Sequence, residues 1–139
     1  MNIKLLSPFA TQPVRKHQTD AGLDLFSCET RILKPGDRHQ FKLGLSIETP
    51  IGTFGLVQGR SGLAINHGIT TIGNVIDEGY SGEISAIIIN TGKEDVEIKV
   101  KDRIAQLLII PYLDEEVMIV DEFNKKTERG DSGYGSSGK

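Results

Sequence analysis

HQFKLGLSIE, residues 39–48, sets Phe41, Leu43, Leu45 and Ile47 at alternate positions, with Gln40, Lys42, Gly44, Ser46 and Glu48 between them. Successive side chains of an extended strand point to opposite faces, so a period of two predicts a strand with one buried face. EDVEIKVK, residues 94–101, repeats the pattern with Val96, Ile98 and Val100 against Glu97, Lys99 and Lys101. ISAIIIN (84–90) and RIAQLLIIP (103–111) are almost continuously apolar, which predicts strands covered on both faces. Pro35-Gly36-Asp37, Pro50-Ile51-Gly52 and Asn90-Thr91-Gly92 supply turn chemistry between these runs. Short strands separated by closely spaced turns predict an all-β sandwich or barrel. A short helix is expected only at SGLAIN, residues 61–66, and no internal repeat is present.

The chain has 139 residues, 37% hydrophobic and 25% charged, which is the size and balance of one globular domain with its own core. One cysteine, Cys28, excludes an internal disulfide, and no secretory leader pattern opens the chain, so an intracellular, reduced setting in the cytoplasm is expected. No apolar run approaches the roughly 20 residues that span a bilayer. A formal charge of −3 provides no general attraction for nucleic acid or anionic lipid, so neither is expected as a partner and any phosphate must be bound locally.

Four glycine-bearing islands interrupt the strands and hold polar residues that a bare sandwich does not need: DAGLDLFS (20–27), GRSGLA (59–64), GNVIDEGYSGEI (73–84) and, beyond DRIAQLL (102–108), RGDSGYGSSG (129–138). Asp20 and Asp24 form either an Asx turn with a solvated carboxylate or a pair of acids that holds a hydrated cation such as Mg²⁺. Gly59-Arg60-Ser61-Gly62 is either a tight turn into the helix or a phosphate site, with a guanidinium fork, a hydroxyl and helix N-terminal N–H groups. Ile76-Asp77-Glu78-Gly79-Tyr80 is either a hairpin with acids at its tip or a ligand-facing turn. In the second case Asp77 is a general base and Tyr80 a flat platform, with Gly73 and Gly79 letting the backbone close on a ligand. Gln106, within Ile104, Ala105, Leu107 and Leu108, either bonds to backbone inside the fold or points into a site. Asp102 and Arg103 read as a structural ion pair or as turn residues. The glycine- and serine-rich tail has the composition of a disordered end, yet it also carries an arginine for a phosphate, an aromatic for a base and hydroxyls for further oxygens.

These segments, in this order and over nearly the whole chain, resemble the five motifs of the trimeric deoxyuridine triphosphate nucleotidohydrolases (dUTPases). The resemblance implies a homotrimer of jelly-roll-like β subunits that hydrolyses dUTP to dUMP and pyrophosphate with Mg²⁺, three subunits contributing to each site. It divides the chain into a β domain, residues 1–127, and a flexible C-terminal arm, residues 128–139, that closes over an active site. By position it implies that Asp24 holds a water on Mg²⁺, that Arg60, Ser61, Gly62 and Gln106 contact phosphates, and that Asp77 activates the water attacking the α-phosphorus. The turn containing Asn74 and Val75 would read uracil largely through its backbone, with Tyr80 under the sugar. On the arm, Arg129, Ser136 and Ser137 would grip phosphates, Tyr134 would stack on uracil and Gly135 would let the arm wrap closely.

The chain departs from the family pattern at Gly59, where proline is common, at Gly79, where aspartate is common, and at Asn74, where a smaller residue is common. Tyr134 and Ser137 replace the usual Phe and Thr and keep an aromatic face and a hydroxyl. Gly59 is expected to loosen the phosphate loop. A dCTP deaminase of related fold would need a proton-shuttling carboxylate where this chain has Ile87. A nucleotide-sensing binding protein and a purely structural jelly roll are further alternatives, but neither requires Asp77, Tyr80 and the tail together.

Overall fold

The computed structural model describes residues 1–124. Among them ten strands and one helix follow in the order β1 (Asn2–Leu5), β2 (Leu23–Phe26), β3 (Arg31–Leu33), β4 (Arg38–Glu48), β5 (Thr53–Gln58), α1 (Ser61–His67), β6 (Ile69–Thr71), β7 (Val75–Ile76), β8 (Ile84–Asn90), β9 (Val96–Ile98) and β10 (Arg103–Pro111). Every pairing is antiparallel. One sheet has the order β1-β4-β8-β6, a second β2-β10-β5-β7, and β3 pairs with β9 in a small third sheet. Strands adjacent in a sheet are mostly distant in sequence, so the chain crosses repeatedly between sheets as in a jelly roll. No helix among the described residues is long and apolar enough to cross a membrane.

The core is a single cluster drawn from all three sheets. The first sheet supplies Phe41, Leu43, Leu45, Ile84, Ala86 and Ile88, the second Leu25, Val57, Ala105 and Leu107, and the third Leu33 and Ile98. The alternation read in β4 holds through Leu43, after which Gly44, Leu45, Ser46 and Ile47 are all buried. Lys42 pairs with Ser85 and Leu45 with Ile84, so β4 carries two more residues than β8 at this point. An insertion of two preserves side-chain parity, and Phe41 and Leu45 stay on the core face.

Three expectations change. β8 alternates between buried and half-buried residues, and β10 leaves Leu108, Ile109 and Ile110 half-buried, so the described chain covers neither strand on both faces. β9 stops at Ile98, because Asp102 turns the chain: its carboxylate accepts Lys99 N–H at 2.8 Å, its own N–H donates to Lys99 C=O, and Lys101 takes φ 71°. Residues 73–84 are not a hairpin, since β7 pairs with β5 while β8 pairs with β4 and β6 in the other sheet. The acids at 77 and 78 therefore sit on a crossover between sheets. The helix forms where expected and ends at Gly68, whose left-handed φ of 68° suits glycine.

Asn90 ties this framework together from a fully buried position. Its Nδ2 donates to Leu33 C=O at 2.9 Å and Glu94 C=O at 2.8 Å, and its Oδ1 accepts Gly92 N–H at 2.9 Å. A buried amide with these three bonds satisfies the turn and links β8 to β3.

Candidate active site

Asp24 lies on β2 directly opposite Gln106 of β10. Its side chain is 15% exposed and is held between two guanidinium groups, with Arg60 Nε 3.3 Å from Oδ1 and Arg103 donating to Oδ2 at 3.1 Å. Arg60 also donates to Arg103 C=O at 3.1 Å. Gln106 donates its amide N–H to Gly59 C=O at 3.1 Å. That bond anchors the loop at Gly59, where looseness was expected. A Cβ on Gly22 would overlap Gln106 Oε1, so glycine at 22 is what lets the Gln106 side chain lie here.

These groups line a cleft of about 450 Å³ together with Ser61 and Gly62 at the start of α1, and with Lys16, Asn66 and His67. The first turn of α1 has no side-chain cap, which leaves N–H groups available to an anion. Arg60 and Arg103 both line this cleft, and among the described residues each keeps fork donors without a partner.

Asp20 also lines this cleft, with its carboxylate engaged by backbone. Its Oδ2 accepts His17 N–H at 2.9 Å, its own N–H donates to His17 C=O at 3.0 Å, and Arg15 donates to its C=O, so its carboxylate braces the 17–20 turn from the C-terminal side and does not make an Asx turn. Among the described residues no group of three His, Cys, Asp or Glu side chains converges on a metal position. Asp24 alone fits the outer-sphere role expected of it, because each carboxylate oxygen keeps lone-pair capacity for a water beyond its arginine.

A second cleft, about 260 Å³, opens at the sheet crossover and is lined by Gly73, Asn74, Val75, Asp77, Tyr80 and Glu83 among others. Asp77 is exposed, and Tyr80, 48% exposed, donates its N–H to Asp77 C=O at 3.0 Å and its hydroxyl to Glu83 C=O at 3.0 Å. A Cβ at Gly82 would lie 2.5 Å from the Tyr80 hydroxyl oxygen, so Gly82 permits the ring's placement; at Gly79, by contrast, nothing lies within 4 Å of an added Cβ. Gly73 adopts φ 63°. Asn74 engages inward, its C=O accepting Val57 N–H at 2.9 Å and its Nδ2 donating to Thr71 at 3.1 Å, while its buried Oδ1 has no partner among the described residues.

The candidate residues thus fall into two clefts with no lining residue in common, Asp24, Arg60, Ser61, Gly62 and Gln106 in one and Asn74, Val75, Asp77 and Tyr80 in the other. Arg103 was missed as a site residue. Its expected ionic role is real, but its partner is Asp24 and Asp102 serves as the turn residue. In a regular strand, residues 103 and 106 face opposite sides. The pairings Arg103 with Phe26 and Ala105 with Leu25 reveal an extra residue in β10, and this bulge turns Arg103 and Gln106 to the same cleft. Arg129, Tyr134, Gly135, Ser136 and Ser137, with the boundary between residues 127 and 128, lie outside the described residues.

An arginine-lined cleft and an acid-bearing turn on one jelly-roll-like scaffold define a β-fold nucleotide enzyme. The chain belongs to the dUTPase family: the family model named dUTPase matches residues 9–138. The deoxyuridine 5'-triphosphate nucleotidohydrolase of Clostridium kluyveri is 45% identical over 139 residues, covering 98% of this chain and 96% of that protein. The dUTPase of Staphylococcus bacteriophage 80alpha, solved with dUpNHpp, superposes with a TM-score of 0.94 at 33% identity, covering 99% of this chain and 97% of that one. A D95N mutant of the Staphylococcus aureus phage phi11 dUTPase, solved for the coordination of a structural Mg(II) ion, superposes at 0.85 with 29% identity, covering 89% of this chain and 98% of its own.

Proposed function

We propose that this protein is a dUTP diphosphatase, hydrolysing dUTP to dUMP and pyrophosphate, which keeps uracil out of DNA and supplies dUMP for thymidylate synthesis. The observation that carries this reading is the exposed Asp77 at the rim of the Tyr80 cleft, on a chain that also presents an arginine-lined anion cleft. Asp77 takes the proton of the attacking water, and the water oxygen bonds to the α-phosphorus as the pyrophosphate oxygen leaves. Arg60, Ser61, Gly62 and Gln106 hold the phosphates, and phosphoryl transfer needs mainly such positioning and charge neutralisation. Asn74, Val75 and Tyr80 hold the nucleoside, the base read through the turn's backbone and the sugar resting on the Tyr80 ring. When bound, Mg²⁺ would neutralise phosphate charge, and Asp24 is the residue that would hold it through a water. Residues 128–139 act as the closing arm, with Arg129, Ser136 and Ser137 on phosphates, Tyr134 on uracil and Gly135 allowing close approach.

The working unit is a homotrimer with shared sites. Two clefts without a common residue support sites composed from different chains, and so does the segment after β10, where Leu113, Val117, Ile119 and Phe123 are each more than 80% exposed. Apolar residues in such a row are covered when a second copy packs on them. The deaminase alternative lacks support: Ile87 moves no protons, and the Glu83 carboxylate in the nucleoside cleft is engaged by Gly44 N–H at 3.1 Å.

The deciding experiment incubates the protein and Mg²⁺ with dUTP, dCTP, dTTP or UTP and separates the products. Release of dUMP and pyrophosphate from dUTP alone is expected. Formation of a uracil nucleotide from dCTP would put deamination in its place, and no turnover would leave a binding role.

A further inference from the structure

Residues 77–83 cross between sheets, and their hydrogen bonds to the rest of the described chain run through two carboxylates. Glu83 accepts Gly44 N–H at 3.1 Å. Glu78, adjacent to Asp77, uses one oxygen, Oε2, to accept Gly52 N–H at 2.7 Å and Tyr112 O–H at 2.9 Å. Tyr112 N–H donates in turn to Gly52 C=O at 3.1 Å. The turn after β4, the residue after β10 and the crossover thereby meet at one carboxylate. β7, the only ladder entering the crossover from Asp77's side, is two residues long and cannot fix the turn alone.

We infer that Glu78 and Tyr112 are positioning residues for Asp77: their hydrogen bonds, with that of Gly52, hold the crossover in the place from which Asp77 meets the attacking water. The inference rests on Asp77 being the base. Hydrogen bonds to an ionised acceptor are the stronger kind, and misplacement of a reacting group by about 1 Å can cost on the order of 100-fold in rate. The Tyr112 phenol is shifted up by its bond to Glu78, as a donor to a charged partner should be.

The test measures kcat and KM for dUTP in Glu78→Ala, Glu78→Gln, Tyr112→Phe, the Glu78→Ala/Tyr112→Phe double variant and Asp77→Asn, with hydrogen exchange of the 77–80 amides. Glu78→Ala should lower kcat about tenfold with KM within about twofold, since orientation and not substrate contact is lost. Tyr112→Phe should lower it less, the double variant no further than Glu78→Ala, and exchange should quicken in all three. Glu78→Gln, whose amide oxygen can accept both bonds, should recover most of the rate, whereas a loss equal to that of alanine overturns the hydrogen-bond account. Asp77→Asn inactive beside full kcat in Glu78→Ala and Tyr112→Phe overturns the positioning role alone. If Asp77→Asn stays active the base assignment falls, and wild-type exchange at 77–80 in Glu78→Ala then removes the clamp as well.

Discussion

Asp24 faces two competing demands, because it neutralises Arg60 and Arg103 while lying in the cleft proposed for phosphates. Partly exposed pairs of this kind are worth about 1 kcal/mol or less, so Asp24→Asn should barely lower the melting temperature. With the carboxylate charge gone the two arginines are freed, and metal-free pyrophosphate should bind several-fold tighter by calorimetry. Weaker binding would mean that the arginines do not face the anion. Tyr112 offers a spectroscopic check. Its phenol is raised by the bond to Glu78 and then by that group's charge, so an absorbance titration should contain a phase above the ordinary tyrosine range that Tyr112→Phe removes. The sign follows from linkage: the stabilisation from this bond is complete below the ordinary tyrosine value of about 10 and is lost as pH rises through the raised one. Glu78→Gln should bring the late phase down to the ordinary range.

Among the elements, the end of β8 and the start of β2 carry the clearest tests. Asn90→Ala removes the partners of Leu33 C=O, Glu94 C=O and Gly92 N–H in a buried place, and should cost roughly 2 kcal/mol or more in denaturant unfolding. A loss below about 0.5 kcal/mol would show that water replaces the amide. Gly22→Ala puts a methyl group on Gln106 Oε1, which must swing away from Gly59. It should cost about 1–3 kcal/mol as an overpacked contact and raise KM for dUTP, and an unchanged KM would take Gln106 out of phosphate binding. The chemistry of these elements was legible as residue types at intervals, but β10 was misread both in its burial and in its register. Its bulge is a property of how the strand pairs with β2, so Arg103 read as half of a structural ion pair or as a turn residue, and nothing in RIAQLLIIP itself turned it toward the cleft.

For the molecule as a whole, the separated clefts make a prediction about assembly. Sedimentation should give three times the chain mass. Arg60→Ala and Asp77→Asn should each be nearly inactive, and mixed trimers formed by co-refolding should regain part of the activity, because some sites then draw an intact arginine and an intact aspartate from different chains. Mixed trimers without recovery would show that each chain works alone. Removal of residues beyond Glu128 should leave folding and trimer formation as before while abolishing most hydrolysis; full activity would make the tail a plain terminus. The period of two in β4 and the turn triplets pointed to an all-β fold, because strand alternation and turn propensity are local properties of consecutive residues, while the ordered motif islands pointed to nucleotide chemistry through their resemblance to the dUTPases. The partner of Asp24, the side of β10 that carries Arg103, the Glu78–Tyr112–Gly52 contact and the division into two clefts depend on which distant strands lie side by side. Those relations arise only when residues far apart in the chain share one core, and no local pattern encodes them.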